Sequence, residues 1–273
     1  MNWRLDDIAW DSFDPSKVTP DLVRIAKAAC LVEHNGAAYG AYLRDVFRDD
    51  ASFCAVAKVW ADEEVKHGQA LRRWAERADP AFDFDDAFAR FTARIKLPEA
   101  PEASVRGSRA RELIARCVVE VGTSTYYSAL RDSTEEPAFR DVCAHIAADE
   151  FRHFRLFYDH MRRYRARERP NLLTRLRVAV GRLIEAEDDE LAYAYYCANG
   201  FTVPYRRRDV GREYARQAFS RYRPEHVELG AKMVLKAVGL RPHSWYGRMI
   251  GRILVWITGL QDVQARTSVR AAA

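Results

Sequence analysis

The chain of 273 residues is 48% hydrophobic and 30% charged, which is enough apolar material for one large domain or a domain with a helical extension. Its formal net charge of +5 favours acidic partners, such as an acyl carrier protein, nucleic acid or an anionic membrane, without choosing among them. Five cysteines, none in a Cys-x-x-Cys, exclude a zinc ribbon and a rubredoxin-type iron site.

The opening MNWRLDDIAW carries acids and no apolar run, so no signal peptide is expected. Cys30, Cys54, Cys117, Cys143 and Cys197 read as small, reduced side chains of a cytoplasmic protein. Residues 1–18 should form an arm over a helical bundle, anchored by Trp3 and Trp10. The first helix should start at Thr19, whose hydroxyl can cap, with Pro20 in the first helical position, and run to about residue 47. A second helix is expected from about 50 to 78, stopped by Asp79-Pro80. Residues 81–107 form a connection with some helix of its own (85–95), long enough to cross the bundle, so that the third helix starts at the far end. That helix should span 108–131. The fourth opens on Ser133-Thr134-Glu135-Glu136, a capping-box pattern, with Pro137 in its first turn, and runs to about 165. Beyond Pro170, three or four more helices are expected: 171–196, 207–221, 224–238 and 244–259. The fold class is therefore all-α, with an arm (1–18), a four-helix bundle (19–165) and a C-terminal helical extension packed on it (166–273). The apolar run in 244–259 is too short to span a bilayer, which leaves a helix packed on the bundle, a homodimer contact or a peripheral membrane contact.

Two Glu-x-x-His pairs stand out, Glu64 with His67 and Glu150 with His153. Residues i and i+3 share a helix face, so each pair offers a carboxylate and an imidazole to one point. A further Glu lies about thirty residues upstream of each pair, at Glu33 and Glu120. Four Glu and two His in this order match the ligand pattern of carboxylate-bridged di-iron bundles. The spacing agrees with helix geometry. Glu33 lies about fourteen residues before the polar break Arg48-Asp49-Asp50-Ala51, and Glu64 about fourteen after it. Glu120 lies about twelve residues before the break at Asp132-Ser133-Thr134, and Glu150 about thirteen after Pro137. Both antiparallel hairpins thus bring their carboxylates to one level.

The surrounding residues add a resemblance. WADEEVKHG (residues 60–68) resembles the Trp-x-x-Glu-Glu-x-Arg-His-Gly motif of the soluble acyl-acyl carrier protein desaturases, members of the ferritin-like di-iron carboxylate proteins. CAHIAADEFRHF (143–154) is similar to a second motif of that family, and Glu120-Val121-Gly122-Thr123 matches its Glu-x-x-Thr. The resemblance covers about residues 20–165, with Val65 and Lys66 departing from the family's Asn and Arg. It implies a ferritin-like four-helix bundle, with metal ligands at Glu33, Glu64, His67, Glu120, Glu150 and His153. It also implies two iron ions, O2, an external electron donor such as ferredoxin, and a catalytic, dioxygen-linked Thr123. The expected activity is O2-dependent desaturation or hydroxylation of a fatty-acyl type substrate, with an acyl carrier protein as the expected carrier. A rubrerythrin- or ferritin-like peroxidase or ferroxidase, and a di-iron hydroxylase acting on tRNA through the basic run 205–208, are the alternatives. A ribonucleotide-reductase small subunit would want Tyr one turn after His67, where the chain has Leu71.

Asp149 and Glu63 each precede a ligand Glu and are expected to hydrogen-bond the distal ring nitrogen of the His on the partner helix. His34 and His145 read as structural, and Arg152 and Lys66 as partners of acids across the bundle. Thr123 either relays a proton to bound oxygen or bonds its own i−4 carbonyl. Gly36, Ala37 and Gly40 follow Glu33 on its own face, and Thr123, Ser124 and Tyr127 follow Glu120. The layer beside the ligands is thus short of large side chains, which admits either a close helix crossing or a substrate tunnel.

Overall fold

The computed structural model describes residues 3–98, 101, 103–185 and 189–257, and its regular elements are all helical. The arm makes three short 3-10 turns that bury Trp3, Ile8 and Trp10 against the bundle. The bundle is built from α1 (Pro20–His34), α2 (Gly36–Val46), α3 (Ala51–Ala78), α5 (Arg109–Ser133) and α6 (Pro137–Glu168), with α4 (Phe84–Arg94) inside the long crossover. The expected cap holds at Thr19, and Asp50 and Ser108, at the expected starts of the next two bundle helices, also cap: each side chain accepts a first-turn N–H.

Two boundaries differ from the sequence reading. The expected single first helix is interrupted at Asn35 (φ −78°, ψ 4°), two residues beyond Glu33, where the Asn35 N–H bonds Val32 O at 3.1 Å. This tightened turn sets α2 against α3. The expected capping box at Ser133 does not start the fourth helix. Instead α5 continues through Ser133, and buried Glu136 caps α6, accepting from the N–H groups of Ala138 and Phe139. A carboxylate there meets the positive end of the helix. The same group accepts the Trp74 indole N–H at 2.7 Å, which ties the start of α6 to α3.

A polar layer divides the interior into two apolar cores. On one side lie Ile25, Leu31, Leu71, Trp74, Phe139 and Ile146. On the other lie Leu43, Phe53, Trp60, Leu113, Phe157 and Met161. The chain passes between these cores in opposite senses along α1–α2 and α3, then in the same sense in α3 and α5, so the crossover does traverse the bundle. Each helix crosses the layer once, at Glu33, at Glu64 and His67, at Glu120, and at Glu150 and His153.

The C-terminal extension holds α7 (Leu172–Glu185), α8 (Asp189–Ala198), α9 (Arg207–Phe219), α10 (Pro224–Ala237) and α11 (Trp245–Ile257). α7 and α10 pack on α5, α8 on α1 and α4, and α11 on α10. The helix expected over 171–196 is described as two, with 186–188 outside the described residues, as are the last two positions of the helix expected over 244–259. No helix among the described residues is long and apolar enough to cross a membrane.

Candidate metal centre

All six sequence-predicted ligands meet in the polar layer, and each is buried. They form two overlapping groups able to hold a metal ion: Glu33, Glu64, His67 and Glu150, and Glu64, Glu120, Glu150 and His153. Within each group, one ligand atom per residue lies within 4.8 Å of the others. Glu64 and Glu150 belong to both. Two neighbouring positions with two shared carboxylates result, one imidazole serving each.

The imidazoles are oriented from behind. His67 Nε2 lies 3.1 Å from Asp149 Oδ2 and His153 Nε2 2.8 Å from Glu63 Oε2, each bond running between α3 and α6. A carboxylate acceptor places the proton on Nε2, which leaves the Nδ1 lone pair facing inward. His67 Nδ1 is 3.2 Å from Glu150 Oε1, and His153 Nδ1 is 3.0 Å from Glu64 Oε1. Both Nδ1 atoms, with Glu33 Oε2, Glu64 Oε1 and Glu150 Oε1, are buried without a hydrogen-bond partner. Buried polar atoms rarely stay unpaired, and five of them converging on one layer is what a cation-binding site requires.

The electrostatics agree. Burial and the neighbouring Glu64 push Glu33 up to about 8, and burial together with Glu150 holds Glu120 well above the carboxylate range. Burial opposes charge on both imidazoles, yet the hydrogen bonds around them outweigh it and raise each well above its ordinary value. Glu150 moves the other way: burial would raise it, but the neighbouring imidazoles of His153 and His67 hold it well below. Without cations the layer retains protons to limit its charge. Two divalent ions would match four carboxylates and two neutral imidazoles.

Other contacts were not foreseen from sequence. The Tyr127 hydroxyl donates to Glu33 Oε1 at 2.6 Å, and Arg116 Nη2 donates to Glu120 Oε1 at 3.1 Å. Tyr127 lies seven residues beyond Glu120 and Arg116 four before it, so both share that residue's face and could have been found by helical spacing. The Trp3 indole N–H donates to Asp149 Oδ2 at 2.8 Å, and its ring lies parallel to that of His67 with centroids 6.1 Å apart. No local signal announces a contact across 146 residues. Two pairings were expected from sequence and hold: Arg152 reaches Glu63 across the bundle as well as Asp149 on its own helix, and Lys66 Nζ lies 3.6 Å from Asp149. The two acids behind the imidazoles are thereby linked. His34 packs edge-on against Phe84 and Phe88, and His145 lies against Trp3, each away from the ligand groups.

A scan against protein-family models finds no match to this sequence, and a search of curated proteins finds none either. The site therefore stands on its own residues.

Thr123 is half-buried. Its Oγ1 is 2.5 Å from Glu150 Oε2 and 3.3 Å from both Val119 O and Glu120 O, so one hydroxyl serves a shared carboxylate as well as its own helix. The glycine face resolves into a close crossing. A Cβ on Gly36 would sit 2.3 Å from Glu64 Cβ, and one on Gly40 2.4 Å from Ala61 Cβ. Ala37, expected on the ligand-bearing face, is exposed, because the turn at Asn35 rotates α2. The tunnel along the first helix is thus replaced by direct contact of α2 and α3, and Gly36 is where α2 rests on a ligand residue.

Proposed function

We propose that the protein is a non-haem di-iron oxidoreductase that uses O2 to desaturate or hydroxylate a fatty-acyl type substrate. The observation that carries this reading is the sharing of Glu64 and Glu150 between two complete ligand groups. A lone structural ion would need only one group. Two ferrous ions bound there, resupplied by an external donor such as ferredoxin, would supply the electrons that activate O2 against an unreactive C–H bond.

The chain's own residues provide the setting. Glu33, Glu64, Glu120 and Glu150 would hold two divalent ions and balance their charge. Asp149 and Glu63 keep both imidazoles in the ligand tautomer. The apolar cores above and below exclude water from the layer. The Thr123 hydroxyl, bonded to Glu150, is a proton donor at the site, and Tyr127 anchors Glu33. The acyl class is supported by the resemblance of residues 60–68 and 143–154 to the acyl carrier protein desaturases, and by the basic balance of the chain. A ferritin-like peroxidase or ferroxidase uses a similar ligand set. The exposed Arg206 and Arg208 keep tRNA as a second substrate class to be tested.

The test is metal analysis followed by product analysis. Purified protein should carry two irons per chain, and Glu150→Ala should empty both positions, since that residue belongs to both groups. One zinc per chain, unaffected by Glu150→Ala, would refute the reading. With reductant and O2, mass spectrometry of carrier-bound acyl chains and lipids should show a desaturated or hydroxylated product that Thr123→Val diminishes while iron content is retained. Peroxide consumption with no organic product, or salt-sensitive tRNA binding with a modified nucleoside, would move the assignment to the corresponding alternative.

A further inference from the structure

α11 has two unlike faces. Gly247, Gly251 and Val255 are buried, and the lack of side chains at the glycines lets the helix lie close on the Pro242 carbonyl and on Glu228 of α10. On the other side Trp245, Arg248, Met249, Arg252, Ile253 and Trp256 line one shallow groove at helical spacing. Trp245 is 69% and Trp256 73% exposed, with Met249 and Ile253 between them also exposed. Large apolar side chains left in water over a whole helix face mark a binding surface.

The charge pattern identifies what covers it. From Leu229 to Gln261 the chain holds no Asp or Glu, while Lys232, Lys236, Arg241, Arg248 and Arg252 fall within the same stretch. Residues 166–273 carry 19 Lys and Arg against 11 Asp and Glu, whereas residues 1–165 carry 25 against 28. The extension is therefore net +8 on a bundle that is net −3, and the exposed face of α11 lies in its acid-free part. Tryptophans at both ends, an aliphatic centre and arginines on the same face suit a helix lying in the headgroup region of a lipid surface. Pairing with a second copy through the same face would bring Arg248 and Arg252 against their equivalents, with no acid on the helix to offset them. We infer that α11 is an in-plane anchor that docks the protein on an anionic membrane surface. The inference does not depend on which metal or reaction the bundle supports.

The chain itself supplies a reporter. Of its six tryptophans, Trp3, Trp10, Trp60 and Trp74 are buried, so a change in emission on docking comes from Trp245 and Trp256. The full-length protein should co-sediment with vesicles of phosphatidylcholine containing phosphatidylglycerol, with a blue-shifted emission, and should bind phosphatidylcholine alone far more weakly. The double variant Arg248→Gln/Arg252→Gln should reduce partitioning about 30-fold at low salt, from about a fivefold effect per arginine. Trp245→Ser/Trp256→Ser should abolish the shift and most of the binding while leaving the metal content and melting temperature unchanged. Three outcomes would overturn the inference: no binding to anionic vesicles, equal binding by wild type and both variants, or a dimer in sedimentation velocity that the tryptophan variant dissociates without any vesicle binding by wild type.

Discussion

Substituting Gly36 tests the link between helix packing and the metal layer. In Gly36→Ala the new methyl would lie 2.3 Å from Glu64 Cβ, whereas apolar carbons settle at about 3.5–4.0 Å. Both atoms are fixed to helical backbone, so α2 and α3 must separate locally by about 1.2–1.7 Å, the difference between those distances. Alanine in place of glycine gains about 1 kcal/mol of helix propensity. Overpacking costs about 1–3 kcal/mol, so the net loss is about 0–2 kcal/mol. For a chain of this size each kcal/mol lowers the melting temperature by about 2–4 °C. The functional effect should be larger, because binding geometry tolerates only about 0.5 Å of displacement and Glu64 is a shared ligand. Gly40→Ala is the control: its methyl would meet Ala61 Cβ at 2.4 Å, in the same crossing but away from the ligands. Thermal melts should show comparable losses for both variants, and inductively coupled plasma mass spectrometry should show depleted metal only in Gly36→Ala. Wild-type metal content in Gly36→Ala, or equal depletion in both, would refute the coupling.

Glu63→Gln and Asp149→Asn should each weaken metal binding about 10–100-fold by releasing the ring behind which they sit, measurable by competition with a chelator; unchanged affinity would deny them an orienting role. Tyr127→Phe leaves Glu33 Oε1 without its buried donor and should cost about 1–3 kcal/mol in denaturant unfolding, with little effect if that carboxylate finds another partner. The metal-free protein should lose stability as pH rises from about 4.5 through about 8, most steeply above about 6.5 where the imidazoles add to Glu33. Glu33, raised to about 8 from 4.5, and His67 and His153, raised from 6.5, all hold protons more tightly when folded. Their contribution is complete below the unfolded values and is lost as pH passes the folded ones. Glu150, shifted down, acts only below 4.5. Metal loading should reverse this trend, because ligation releases the same protons, and a chelated protein that melts higher at the alkaline end would contradict it.

Much of the candidate centre was legible because it is written in helical angle. The pairs Glu64 with His67 and Glu150 with His153, and the equal distances from each Glu to its interhelical break, depend only on a repeat of 3.6 residues and on where helices stop. Local chemistry fixed the cap at Thr19 in the same way. Asp149 and Glu63 could be singled out because they precede ligands on the facing helices. What the chain alone left open concerned the distance between helices. Gly36 and Gly40 fit a tunnel or a contact equally well as a pattern, and only the approach of α2 to α3 decided for contact. The turn at Asn35, which rotates Ala37 into solvent, falls on an Asn-Gly dipeptide, a local turn signal within an otherwise continuous helical pattern. Its consequence, the close approach of α2 to α3 beside Glu64, was decided only by packing. Trp3 meets Asp149 and the apolar face of α11 stays uncovered for the same reason. Periodicity assigns a residue to a face, but the packing of the whole chain determines what that face touches.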